Sequence, residues 1–67
     1  MSKDLYAQRG WLVAAMDQLA GIKDAEKLHA KAHSTIRNRP TWVKDKTVAS
    51  FSQWIETRTG KLEKLAK

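Results

Sequence analysis

Sixty-seven residues with no cysteine and a formal charge of +6 are expected to form one small basic domain over residues 1–67, too short to hold a second and with no disulfide or thiolate metal site. The longest unbroken apolar run, Trp11 to Met16, is far shorter than the roughly 20 residues of a membrane span. Asp4, Arg9 and Asp17 interrupt any apolar signal segment, so the chain is expected to be cytoplasmic and to engage no membrane.

Period-two alternation never persists, and the predicted elements are all helical. The first helix is predicted over residues 3–20, with Ser2 as N-cap, Asp4 in the first turn and Gly21 as the C′ residue. At 100° per residue, Leu5, Leu12, Met16 and Leu19 gather into a core stripe with Ala15 and Ala20 at its margins. The opposite side holds Ala7, Gly10, Trp11, Ala14 and Gln18, a surface of mostly small residues with one indole. Glycine inside a helix costs about 1 kcal/mol relative to alanine. Gly10 is either tolerated there or marks the close approach of another helix. Gly10, Trp11 and Ala14 are therefore a candidate second interface, for a partner or for a homo-oligomer.

The second helix is predicted over 24–38, with Asp24 as N-cap or first-turn acid. Ala25, Leu28, Ala32 and Ile36 form a narrow apolar stripe, and Lys27, Lys31, His33 and Arg37 face water. Pro40 pushes Arg39 toward extended geometry, which ends the helix near Asn38. The third helix is predicted over 45–66, because the apolar phase of Val48, Phe51, Ile55, Leu62 and Ala66 holds across Gly60; a stop at Thr59 is the alternative. Its 22 residues span about 33 Å, so Leu62 and Leu65 overhang the other helices and need cover. Short connections favour antiparallel neighbours, and the expected fold is an all-α, compact three-helix bundle.

Charge is uneven along the chain. Residues 1–26 carry three cations against four carboxylates, whereas residues 27–46 carry six cations against Asp45 alone. Lys27, Lys31, Arg37, Arg39, Lys44 and Lys46 are thus the candidate binding residues, with Trp42 among them in the turn before the third helix. Two fates are open to that indole: a lid over the helix ends, or an exposed ring that stacks on a base or anchors an interface. Cations that neutralise phosphates beside an aromatic platform suit nucleic acid, DNA or RNA, and backbone recognition is expected rather than helix-turn-helix reading. The alternative is a protein–protein module, an adaptor, inhibitor or regulator docking on an acidic partner.

Catalysis is not expected. The chain has no cysteine nucleophile, no Gly-rich phosphate loop and no HExxH, and its seven carboxylates are scattered. His29 and His33 are four apart, but lack a third strong ligand, so no metal and no cofactor are expected.

Overall fold

Asp24 opens the middle helix through local chemistry alone. Its Oδ1 accepts the backbone N–H of Glu26 at 2.9 Å and of Lys27 at 3.2 Å, satisfying two of the donors that a helix start leaves free. The computed structural model describes residues 3–66, which form helices α1 (Lys3–Leu19), α2 (Ala25–Arg37) and α3 (Asp45–Ala66) and, among the described residues, no strand. Ser2 and the side chain of Ala66, assigned above to a cap and to the core stripe, lie outside the described residues.

α2 ends as Pro40 requires. Asn38 is its C-cap, and the Arg39 N–H turns back to the Ile36 carbonyl at 3.2 Å. The Pro40 carbonyl then accepts the Val43 N–H at 3.0 Å, closing a β-turn with Thr41 and Trp42 at its tip. α3 runs without interruption through Gly60, where a Cβ would meet nothing within 4 Å.

The core is built from Ala15 and Leu19 of α1, Leu28 and Ala32 of α2, and Phe51 and Ile55 of α3. Leu28 and Phe51 are fully buried, each worth about 1.5–3 kcal/mol of apolar transfer. Phe51 sits between two indoles. Trp11 meets it edge-on at 5.6 Å between ring centroids, and Trp54 stacks on it at 6.2 Å. The most extensive helix pairing is α2 with α3.

Four sequence expectations are corrected here. The inward face of α1 keeps Leu12, Ala15, Met16 and Leu19 but is turned from the predicted one at its edges: Leu5 and Ala20 are exposed, while Gln8 is buried and Trp11 packs on the core. Trp11 therefore does not share a free face with Gly10 and Ala14. The reason is size, since an indole at the α1–α3 contact covers Phe51 better than a leucine at the helix end can. Second, Gly21 has no left-handed φ, so α1 lacks a glycine C′ cap; a short turn from the Ile22 N–H to the Leu19 carbonyl, 3.1 Å, takes its place. Third, Val43, unassigned in the sequence reading, is buried and fills the lid position offered to Trp42. Trp42 is a central residue of the β-turn and stays exposed, whereas Val43, its fourth residue, is buried. Fourth, of the two overhanging leucines only Leu62 finds cover against the core; Leu65 stays 82% exposed.

Contacts at the two ends fix the topology. Gln8 of α1 touches the turn and the start of α3, and Arg58 of α3 touches the end of α1. α1 and α3 therefore run parallel with α2 antiparallel between them in sequence. No helix is long and apolar enough to cross a membrane among the described residues.

Candidate partner-binding surface

The best-organised polar cluster begins at Gln8. Its Oε1 accepts the backbone N–H of Lys44 at 3.0 Å and the Thr47 hydroxyl at 2.6 Å. Its Nε2 donates to the Trp42 carbonyl at 2.6 Å and more weakly toward Asp4 Oδ1 at 3.5 Å. Lys44 immediately precedes α3, and its carbonyl accepts the N–H groups of Thr47 and Val48. In a capping box, a Glu or Gln three residues into the helix would reach back to that Lys44 N–H. Thr47 occupies the position and cannot do so, and the amide of a different helix supplies the acceptor. The result is a buried glutamine with its donors and acceptors used, holding the turn against α1.

This arrangement explains the exposure of Trp42. The Trp42 carbonyl is drawn inward to Gln8, the neighbouring Val43 side chain is buried, and the indole remains 48% exposed at the turn tip. Beside it, Lys44 Nζ pairs with Asp4 Oδ2 at 2.5 Å across the α1–α3 seam. The Lys44 hydrogen bond holds the Asp4 carboxyl below its ordinary value of 3.8, against a smaller opposing effect of desolvation. Arg39 Nη2 pairs with Asp45 Oδ1 at 3.4 Å, an exposed contact of little energetic weight.

The seven residues singled out from the sequence do not fall in one place. Lys44 and Lys46 line an open groove of about 620 Å³ between the N-terminal halves of α1 and α3, which they share with Leu5, Arg9, Leu12 and Thr47. Lys27 and Lys31 line a separate recess with Ile22 and Asp24, beside the loop at the other end of the bundle. Along α2, Lys27 lies about 15 Å from Arg37. Arg37 and Arg39 sit on the last turn of α2 and just beyond it, next to Trp42 in sequence. Of the six cations, Arg39 and Lys44 are paired, and Lys27, Lys31, Arg37 and Lys46 make no ion pair among the described residues. The charge that is contiguous in sequence is divided in space, because the length of α2 carries the chain from one end of the bundle, where Lys27 and Lys31 lie, to the other, where Lys44 and Lys46 lie.

Sequence reasoning missed Gln8 and Arg9. Arg9 stands on the groove wall formed by α1 and makes no ion pair among the described residues. Gln8 had one readable signal: it shares the inward phase of Ala15 and Leu19, a polar residue where the period requires an apolar one. Gly10 and Ala14 are exposed, and a Cβ on Gly10 would meet nothing within 4 Å, so no helix of this chain closes on that face. His29 and His33 are exposed along the α2–α3 seam, and among the described residues no group of three His, Cys, Asp or Glu side chains could hold a metal ion. Compared with family models, with curated proteins and with solved structures, the chain finds no match.

Proposed function

We propose that this small helical bundle is a non-catalytic docking module whose partner is an acidic protein, engaged at the end that carries the α2–α3 turn. The carrying observation is a coincidence of two kinds of accessible surface. Leu5, Tyr6 and Trp42 are 58%, 68% and 48% exposed near that end, and the cations Arg9, Arg37 and Lys46 have no carboxylate partner among the described residues. Large apolar and aromatic side chains beside arginine are the composition of interface hot spots. The fixed backbone beneath them lowers the ordering cost of association.

Nucleic acid is the second reading, and one feature favours it: the exposed indole of Trp42 is flanked in sequence by Arg39 and Lys44. The division of the cations weighs against it, since a phosphate backbone needs a continuous basic track. Selection from a displayed library of random helical peptides tests the first reading without presuming the ligand. Enrichment of acidic sequences with apolar residues at helical spacing is expected. Recovered peptides with no acidic bias, together with oligonucleotide binding whose log K falls against log salt with a slope near about −4.5, would instead establish the second.

A further inference from the structure

Between α1 and α3 lies a groove whose two walls differ from its floor. Leu5 and Leu12 make the lining mostly apolar, and Thr47 and Ser50 give it a small, shallow side on α3. Arg9 stands on the α1 wall and Lys46 on the α3 wall, so a cation flanks the apolar strip on either side. At one end the Asp4–Lys44 pair neutralises itself, which leaves the groove's only carboxylate already occupied. Neither cation makes an ion pair among the described residues, and an apolar strip between them is complementary to an apolar surface edged with carboxylates.

We infer that this groove seats an acidic amphipathic helix of a partner protein. An apolar residue of the partner packs between Leu5 and Leu12, and carboxylates about one helical turn to either side meet Arg9 and Lys46. The inference rests on the acidic-partner reading above and adds the site and the form of the ligand. Helix-in-groove recognition needs an apolar channel with charged edges, and the pairing of edge charges sets orientation and partner choice.

Two other occupants fit less well. A second copy of this chain would bring Arg9 and Lys46 toward the same cations and set one net charge of +6 against another. Nucleic acid would meet the two cations, but would leave Leu5 and Leu12 facing a sugar-phosphate surface with no apolar counterpart. The Gln8 hydrogen bonds also tie the two walls of the groove together.

The test uses the full chain and a synthetic peptide of roughly 16 residues, with leucines every three or four positions and glutamates between them, long enough to show helix on binding. Binding is read by anisotropy, and folding of each variant by circular dichroism. Arg9→Glu combined with Lys46→Glu is expected to weaken the peptide at least tenfold, whereas Lys61→Glu combined with Lys64→Glu, the same change of net charge elsewhere, leaves it within about twofold. Leu5→Ser, at an exposed position that the fold tolerates, is expected to weaken binding several-fold through loss of apolar contact. Equal loss in both charge-reversed pairs, or loss only in Lys27→Glu with Lys31→Glu, overturns the groove while leaving an acidic partner in place. If no acidic peptide binds, the broader reading falls first. Self-association abolished by the groove substitutions would assign the surface to a second copy and overturn the inference, as would oligonucleotide binding lost in the same variants.

Discussion

The two ends of this bundle use the same device with different completeness. At one end, Gln8 of α1 reaches the start of α3; at the other, Arg58 of α3 donates from Nη2 to the Ala20 carbonyl at 2.7 Å, just past the end of α1. Each helix thus lacks part of its own terminus chemistry and receives it from the other. α1 has no basic residue in its last turn, and the Arg58 guanidinium places a positive charge where the helix dipole favours one. The ends differ in how fully the borrowed group is satisfied. Gln8 is neutral, buried and bonded on both amide atoms, whereas the buried Arg58 Nε has no hydrogen-bond partner among the described residues. A neutral amide is desolvated at modest cost and regains its hydrogen bonds. A charged fork that leaves one donor unmet gives part of its gain back. The Gln8 end is therefore the firmer one, and the candidate groove lies on it.

That contrast can be broken most directly at Gln8. Gln8→Ala leaves the Lys44 N–H, the Thr47 hydroxyl and the Trp42 carbonyl without their partner, for an expected loss of about 2–4 kcal/mol. Because a core of this size supplies only about 3–5 kcal/mol, urea denaturation should find the variant close to its unfolding midpoint in dilute denaturant. A loss no larger than that at Arg58 would mean that water replaces the amide freely and that the two ends are equivalent.

Arg58→Ala is expected to cost less, about 1 kcal/mol, because removing the side chain also removes a buried donor that was never satisfied. In a domain of this length that corresponds to a fall in melting temperature of about 4–8 °C, measurable by thermal circular dichroism. The smallest effect belongs to the exposed neighbour of Gln8, the Asp4–Lys44 pair. The folded-state pKa of Asp4 lies below 3.8, so its contribution is fully present above that pH and is lost as pH falls through the lowered value. Asp4→Asn should remove this acid-dependent component and leave stability near neutrality only slightly changed. Matching acid limbs in the two proteins would show that the pair adds nothing to the firmness of that end.

How much of this was legible beforehand depends on the range of the interaction. Asp24, Pro40 and the unbroken phase of Val48, Phe51, Ile55 and Leu62 gave the limits of α2 and α3 to within a residue, because caps and proline act on their immediate neighbours. The all-α class and the run of α3 through Gly60 followed from the same local periodicity. The first helix was harder. Apolar residues surround much of its circumference, so phase placed Leu12, Met16 and Leu19 inside but admitted Leu5 beside them as readily as Gln8 and Trp11. The choice between them is made by partners 34 to 39 positions away, which no window along the chain contains. The spatial arrangement of the candidate residues was hidden for a related reason. Counting charge along residues 27–46 gives the total correctly, but Lys27 and Lys31 line a recess beside the start of α2 while Lys44 and Lys46 line another at the start of α3. Trp42 was recognised as a turn residue, and its exposure followed only once Val43 was seen to take the inward place.

Because the two borrowed caps cross in opposite directions, a cut in the loop at 20–24 would leave each piece holding what the other lacks. The α1 peptide would carry the amide that completes α3, and the α2–α3 piece would carry the guanidinium that completes α1. Neither is a finished folding unit, and together they form a reciprocal lock and key. The chain is in this sense a natural candidate for a split reporter, in which reassembly of two short pieces restores one ordered body.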